Sequence, residues 1–173
     1  MSLRTTLKNK QLSNPIQLST TECQQWMSKL IRRSGKIGLL GEVPVSAVII
    51  DKQGRCIGHG NNERERRKDP LGHAEIIALR QAALIKNDWR FNDCTLIVTL
   101  EPCPMCAGAL LQARMGQVIF GTSDLKRGAL GGTIDLSKHE SAHHHMIVQG
   151  GVMADEAKKE LVKWFRLRRK IYP

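Results

Sequence analysis

At 173 residues the chain is long enough for one domain with one core, and its 41% apolar content suffices to build that core. No run of about 18 apolar residues occurs, which excludes a membrane-spanning helix, and the first residues lack the apolar core of a secretion signal. The net charge of +11 sits at the ends: residues 1–36 hold seven Lys/Arg and one acid, residues 161–170 hold five and none, and residues 37–160 sum to zero.

A neutral body with two basic ends suits a polyanion held at the ends while chemistry happens in the middle. The plainer reading is solvated helix faces that aid solubility. Residues 1–21 carry Ser, Thr, Arg4, Lys8 and Lys10 and no acid, a faint likeness to an organelle transit peptide. The expectation is a flexible extension, followed by a single domain over 21–173. The five cysteines (Cys23, Cys56, Cys94, Cys103 and Cys106) are odd in number and irregularly spaced. That disfavours a disulfide framework and fits a reducing, cytoplasmic setting with a metal-binding pair.

Taken in order, Trp26, Met27, Leu30 and Ile31 recur at helical spacing over 21–36, and Ser34-Gly35 ends the pattern. Val45–Asp51 is a compact apolar strand, Lys52–Arg55 a turn, and Cys56–Gly60 the returning strand of a hairpin. Asn61-Asn62 follow at its end, where polar side chains can face a pocket. Residues 63–69 form a charged loop in which Arg64, Arg66, Arg67 and Lys68 are balanced by Glu63, Glu65 and Asp69. Beyond Pro70 a helix is predicted over 73–85, with His73 and Glu75 in its first turn, where the positive dipole end favours a carboxylate. Thr95–Leu100 is a buried strand that runs straight into Glu101-Pro102-Cys103. Pro104 opens a helix over 104–115. Gln117–Gly121 is the next strand, 122–145 is loop-rich and includes His143-His144-His145, Met146–Val148 is a short strand, and a last helix spans 153–169. Alternating strands and helices give a three-layer α/β/α sandwich around a mixed sheet of about five strands. Sites in such sheets gather at the carboxyl ends of strands, where both helix-starting segments can meet.

Those two segments carry the chemistry. His73, Cys103 and Cys106 are three zinc-type ligands; Cys103 and Cys106, three apart at a helix start, can face one metal. Three protein ligands leave a fourth position for water, whose pKa the metal lowers. Glu75 is badly placed to share the metal with His73 but well placed beside that water. This fits a hydrolytic step in which hydroxide adds to an electron-poor carbon and Glu75 shuttles the proton. The structural alternative is a closed site, with His59, Cys94 or one of the histidines at 143–145 as fourth ligand; it leaves Glu75 and Pro102 unexplained.

His-x-Glu followed by Pro-Cys-x-x-Cys is the signature of zinc-dependent base deaminases. The resemblance extends further. His73–Gln81, Thr99–Ala109, Phe120-Gly121 with Asp124, Lys126 and Gly128, Glu42–Val45, and Trp164–Arg169 together resemble the bacterial tRNA-specific adenosine deaminases over about residues 21–170. The resemblance implies a cytidine deaminase-like fold, one Zn2+ per subunit, a homodimer, and conversion of the wobble adenosine of a tRNA anticodon stem-loop to inosine. It implies His73, Cys103 and Cys106 as metal ligands and Glu75 as general acid/base at the purine C6. It also implies Asn62 against the flipped-out nucleotide, Pro44, Val45 and Asp124 at the pocket or its rim, and Phe165, Arg166, Arg168 and Arg169 in the RNA-binding tail. The charge map agrees independently, because the +5 end coincides with that tail. Leu71-Gly72 depart from the small pair usual before the histidine. A deaminase of a free base or nucleoside, of guanine or cytidine type, is the alternative activity; it would need no basic tail. A non-catalytic zinc-stabilised RNA-binding module would need no Glu75.

Overall fold

The computed structural model describes residues 14–171. Residues 1–13, with Arg4, Lys8, Lys10 and most of the expected N-terminal extension, lie outside the described residues. Within the described part of that extension, Ile16 and Leu18 pack against the core under the first helix.

The helix α1 (Thr20–Leu39) opens with a capping box, in which Ser19 accepts from the Glu22 N–H and the Glu22 side chain accepts from the Ser19 backbone. It passes through Ser34-Gly35, which the sequence reading took as its end. Tertiary contact overrides propensity here. Gly35 faces the Glu160 carboxylate and Gly38 faces Trp164, so two glycines inside α1 let the last helix, α5 (Ala154–Ile171), lie against it.

The strands β1 (Ser46–Ile50), β2 (Cys56–Asn61), β3 (Thr95–Leu100), β4 (Gln117–Thr122) and β5 (Ile147–Gln149) form one sheet in the order β2-β1-β3-β4-β5. Both neighbours of β1 are antiparallel to it, while β3, β4 and β5 run parallel. The sheet is therefore mixed and five-stranded, as expected. Period-two alternation divides its side chains. Val48, Ile50, Ile97 and Ile119 face Cys23, Met27 and Leu30 of α1. Ala47, Ile49, Leu96, Val98 and Val118 face the helices α3 (Ala74–Lys86) and α4 (Pro104–Gln112). The result is a helix–sheet–helix sandwich with a core on each face.

The segment 63–69 is not all loop: Arg64–Arg67 form a one-turn helix, α2. The helix at 104 stops at Gln112, three residues short of its expected end. The long 122–145 connection contains a 3-10 turn, Leu136–Lys138.

Helix α3 is placed by a glycine–alanine contact. Gly58 and Gly60 of β2 face Ala74, Ala78 and Ala82, which recur at intervals of four on α3. A Cβ at Gly60 would fall 2.1 Å from the Ala74 carbonyl oxygen, and one at Gly58 would fall 2.4 Å from that of Ala78. Because backbone cannot give way cheaply, Gly60→Ala should destabilise the fold by about 2–3 kcal/mol through overpacking. Thermal unfolding should show the midpoint lowered by about 5–10 °C.

Candidate active site

The two motif segments arrive at helix starts at the same end of the sheet. His73 is the N-cap residue of α3 and Cys103 that of α4, and neither spends its side chain on a capping bond. Pro104 occupies the first turn of α4, where its missing N–H is harmless. The loop before His73 is held by Glu63 N–H donating to the Gly72 carbonyl at 2.8 Å.

His73 Nδ1 lies 3.6 Å from Cys103 Sγ and 3.5 Å from Cys106 Sγ. A tetrahedral zinc with bonds of about 2.3 Å to sulfur and 2.05 Å to nitrogen holds such a nitrogen and sulfur about 3.5 Å apart. The donor set and its spacing therefore fit a metal of this type. Among the described residues, this is the group of His, Cys and acidic side chains that could hold a metal. Three of the side chains expected as alternative fourth ligands have partners elsewhere, and His143 and His145 are not part of the group. Cys94 donates to Asp93 at 3.4 Å, His59 meets Arg33 at 3.0 Å, and His144 Nε2 meets the Met115 carbonyl at 2.7 Å. The group that could hold a metal is thus His73, Cys103 and Cys106.

Glu75 sits in the first turn of α3 and is 5% exposed. Burial pushes its carboxyl above the usual range, and the Cys106 thiol is within hydrogen-bonding reach of it. The Cys106 thiol donates to Cys103, which holds Cys103 down at about 4 and drives Cys106 up. The Cys103 side chain in turn raises His73.

Two buried carboxylates, quoted in the motifs but given no role by the sequence reading, hold the loops around this cluster. Glu101, 2% exposed, accepts from the backbone N–H of Asp124 (3.0 Å), Leu130 (2.9 Å) and Gly132 (2.8 Å). Gly128 and Gly132 leave room for it, since a Cβ at either would lie 2.4 Å from its carboxyl group. Glu42 does the same work across the site, on the Asn62 amide and the start of α2. Glu101 had a signal: an acid that directly follows the apolar run Thr95–Leu100 must be buried with the strand it ends.

The other expected residues fall as follows. Asn62 is buried, with its backbone N–H donating to the Val45 carbonyl at 3.0 Å. Pro44 is buried and packs near Gly38, and Val45 joins the core beneath α3. The Asp124 carboxylate closes its own turn by accepting from the N–H groups of Lys126 and Arg127. Trp164 is half-buried, donating to the Gly38 carbonyl at 3.1 Å. Arg168 stacks on Trp164 and donates to the Gly41 carbonyl. Phe165 stands edge-on to Trp164 and is exposed, as are Arg166 and Arg169. Leu71 is exposed at the loop before His73. Arg64, which the sequence reading grouped with a solvated loop, is close enough to His73 to oppose its protonation.

The fold and this cluster are those of a deaminase: the MafB19-like deaminase family matches residues 21–165. The tRNA-specific adenosine deaminase of Haemophilus influenzae is 40% identical over 84% of each chain. That of Bacillus subtilis is 37% identical over 87% of this chain and 92% of its own. A structure from a study of A-to-I editing by tRNA:A34 deaminases at the wobble position of transfer RNA superposes with a TM-score of 0.74. It is 31% identical and covers 79% of this chain and 99% of its own. The chain belongs to the tRNA-specific adenosine deaminase family.

Glu101→Gln turns an NH2 group toward at least one of three backbone N–H donors. It should cost about 1–3 kcal/mol and open the 124–132 loop, read as a lower unfolding midpoint and faster proteolytic cleavage within that loop.

Proposed function

We propose that the protein deaminates the wobble adenosine of a tRNA anticodon to inosine, releasing ammonia. The observation that carries this reading is the three-ligand cluster with buried Glu75 beside it, in a chain of this family. The ligands are His73, Cys103 and Cys106, and the metal is Zn2+, one per chain. When bound, zinc supplies the polarisation that makes a water acidic near neutral pH and nucleophilic toward the purine C6.

The chain's own residues do the rest. Glu75 takes the proton that the attacking water loses. It hands that proton to the ring nitrogen, then takes the proton of the added hydroxyl as the C6 carbonyl forms and passes it to the departing amine, so adenosine and water leave as inosine and ammonia. Its burial shields this exchange from bulk water. Asn62 contacts the flipped-out base, and Pro44, Val45 and Asp124 shape the pocket and its rim. Exposed Phe165, Arg166 and Arg169, with Arg168 at their base, meet the RNA backbone and loop. The neutral body and basic ends favour a large polyanionic substrate over a free nucleoside. A homodimer acting in the cytoplasm completes the reading.

Glu75→Gln should retain zinc and lose about 10²–10⁴-fold in rate. The assay is inosine formation in an anticodon stem-loop with a wobble adenosine, run beside free adenosine, cytidine and guanine. Turnover of only the free compounds by the unmutated protein would replace this reading with a nucleoside or base deaminase. Arg166→Ala and Arg169→Ala should each weaken stem-loop binding and reduce the salt slope by about 1, measured by titration at several salt concentrations.

A further inference from the structure

Glu42 lies in the short connection between α1 and β1, is 2% exposed, and is not a member of the metal cluster. Its carboxylate gathers three N–H donors. Oε2 accepts from Asn62 Nδ2 at 3.1 Å and from the Glu65 N–H at 3.2 Å; Oε1 accepts from the Arg66 N–H at 2.7 Å. Glu63, the N-cap residue of α2, makes no side-chain capping bond, so Glu42 caps that helix from another segment.

Both Glu42 oxygens are occupied as acceptors of N–H groups. Its Asn62 partner must therefore present the amide nitrogen, and Oδ1 is turned to the opposite side of the planar group. Which way an asparagine amide faces is usually a matter of assignment; here the acceptor dictates it. Asn62 also directly precedes Glu63, whose N–H ties this segment to Gly72, the residue before His73. The donor–acceptor polarity of a side chain on the segment tied to the loop before His73 is thus set by an acid outside the metal cluster. The geometry points to Glu42 as a positioning residue for adenosine recognition: it fixes the orientation of the Asn62 amide, and with it which edge of the base that amide can read.

This rests on the contact between Asn62 and the base proposed above. Glu42→Gln keeps the shape and changes the polarity. The short bond to Arg66 N–H holds the new amide's oxygen on that side, so its NH2 faces Asn62 and the Glu65 N–H; the Glu65 bond is lost, and Asn62 must rotate to offer Oδ1 to that NH2. The Asn62 amide then presents the wrong groups to the base.

The experiment is a double-mutant cycle of Glu42→Gln and Asn62→Ala, with kcat/KM for inosine formation in the wobble-adenosine stem-loop, zinc content and unfolding midpoint measured on each protein. Each single variant should lose about 10–10²-fold, on the scale of a misplaced contact, with zinc retained. The double variant should be no worse than Asn62→Ala alone, because the two changes remove one interaction. A purely structural role for Glu42 would instead multiply its loss onto that of Asn62→Ala, and that result overturns the inference. Wild-type kcat/KM in Glu42→Gln overturns it too. If Asn62→Ala is fully active, both this inference and the base contact are lost, while the metal chemistry stands. Should Glu42→Gln fail to fold, Glu42→Asp, which keeps an acceptor at shorter reach, is carried through the same cycle with the same criteria.

Discussion

Helix α3 lies closer to β2 than any side chain larger than hydrogen permits on the strand. Gly58 and Gly60 present bare backbone, and Ala74, Ala78 and Ala82 present single methyl groups. This contact fixes the depth and axial position of α3, and with them the two residues at its start. His73 reaches the two sulfurs at 3.5 and 3.6 Å because its helix cannot move outward without opening a void beneath it. Glu75, one turn's edge further on, is buried by the same seating. A cluster of three such side chains drawn from two helices needs both helix starts held in place, and the sheet supplies that through packing.

Loops cannot be held this way, and here they are held by buried acids. Glu42 and Glu101 each gather three N–H donors, two or more from the backbone of a segment that would otherwise drift. Breaking such a contact leaves a buried carboxyl group without its partners, so the segments it gathers are held in place. Glu101 directly precedes the Pro-Cys-x-x-Cys motif, so the strand end that delivers Cys103 also anchors the 124–132 loop. Asp124 is tied to Glu101 through its backbone N–H, while its carboxylate closes its own turn.

Much of this was legible in the residues. The β3 run and the two ligand segments read directly, because apolar composition and ligand spacing are local properties. Alternation of strands and helices gave the sandwich. What stayed hidden depends on contact between distant segments. Ser34-Gly35 look like a helix end until α5 needs Gly35 and Gly38 as its seat. The α2 turn exists because Glu42, more than twenty residues upstream, caps it. The inward turn of Trp164 and outward turn of Phe165 follow from which face of α5 meets α1, and two adjacent aromatics carry no local mark of that choice.

The basic end gains its meaning from the same contact. A loose cationic tail would attract any polyanion and orient none. In α5 the face that carries Trp164 and Arg168 is spent on the end of α1, through the carbonyls of Gly38 and Gly41. Gly41 follows the end of α1 with a φ of +91°, a left-handed conformation that suits glycine. The next residues lead through Glu42 to β1, whose first residue pairs with Asn61. The helix bearing Arg166 and Arg169 is therefore clamped to the segment that carries the anchor of Asn62. Charge and site are joined by two short carbonyl contacts rather than by a linker. An RNA gripped by those arginines would be presented at a fixed distance from the cluster, which is the condition for an electrostatic contact to contribute to catalysis as well as to encounter.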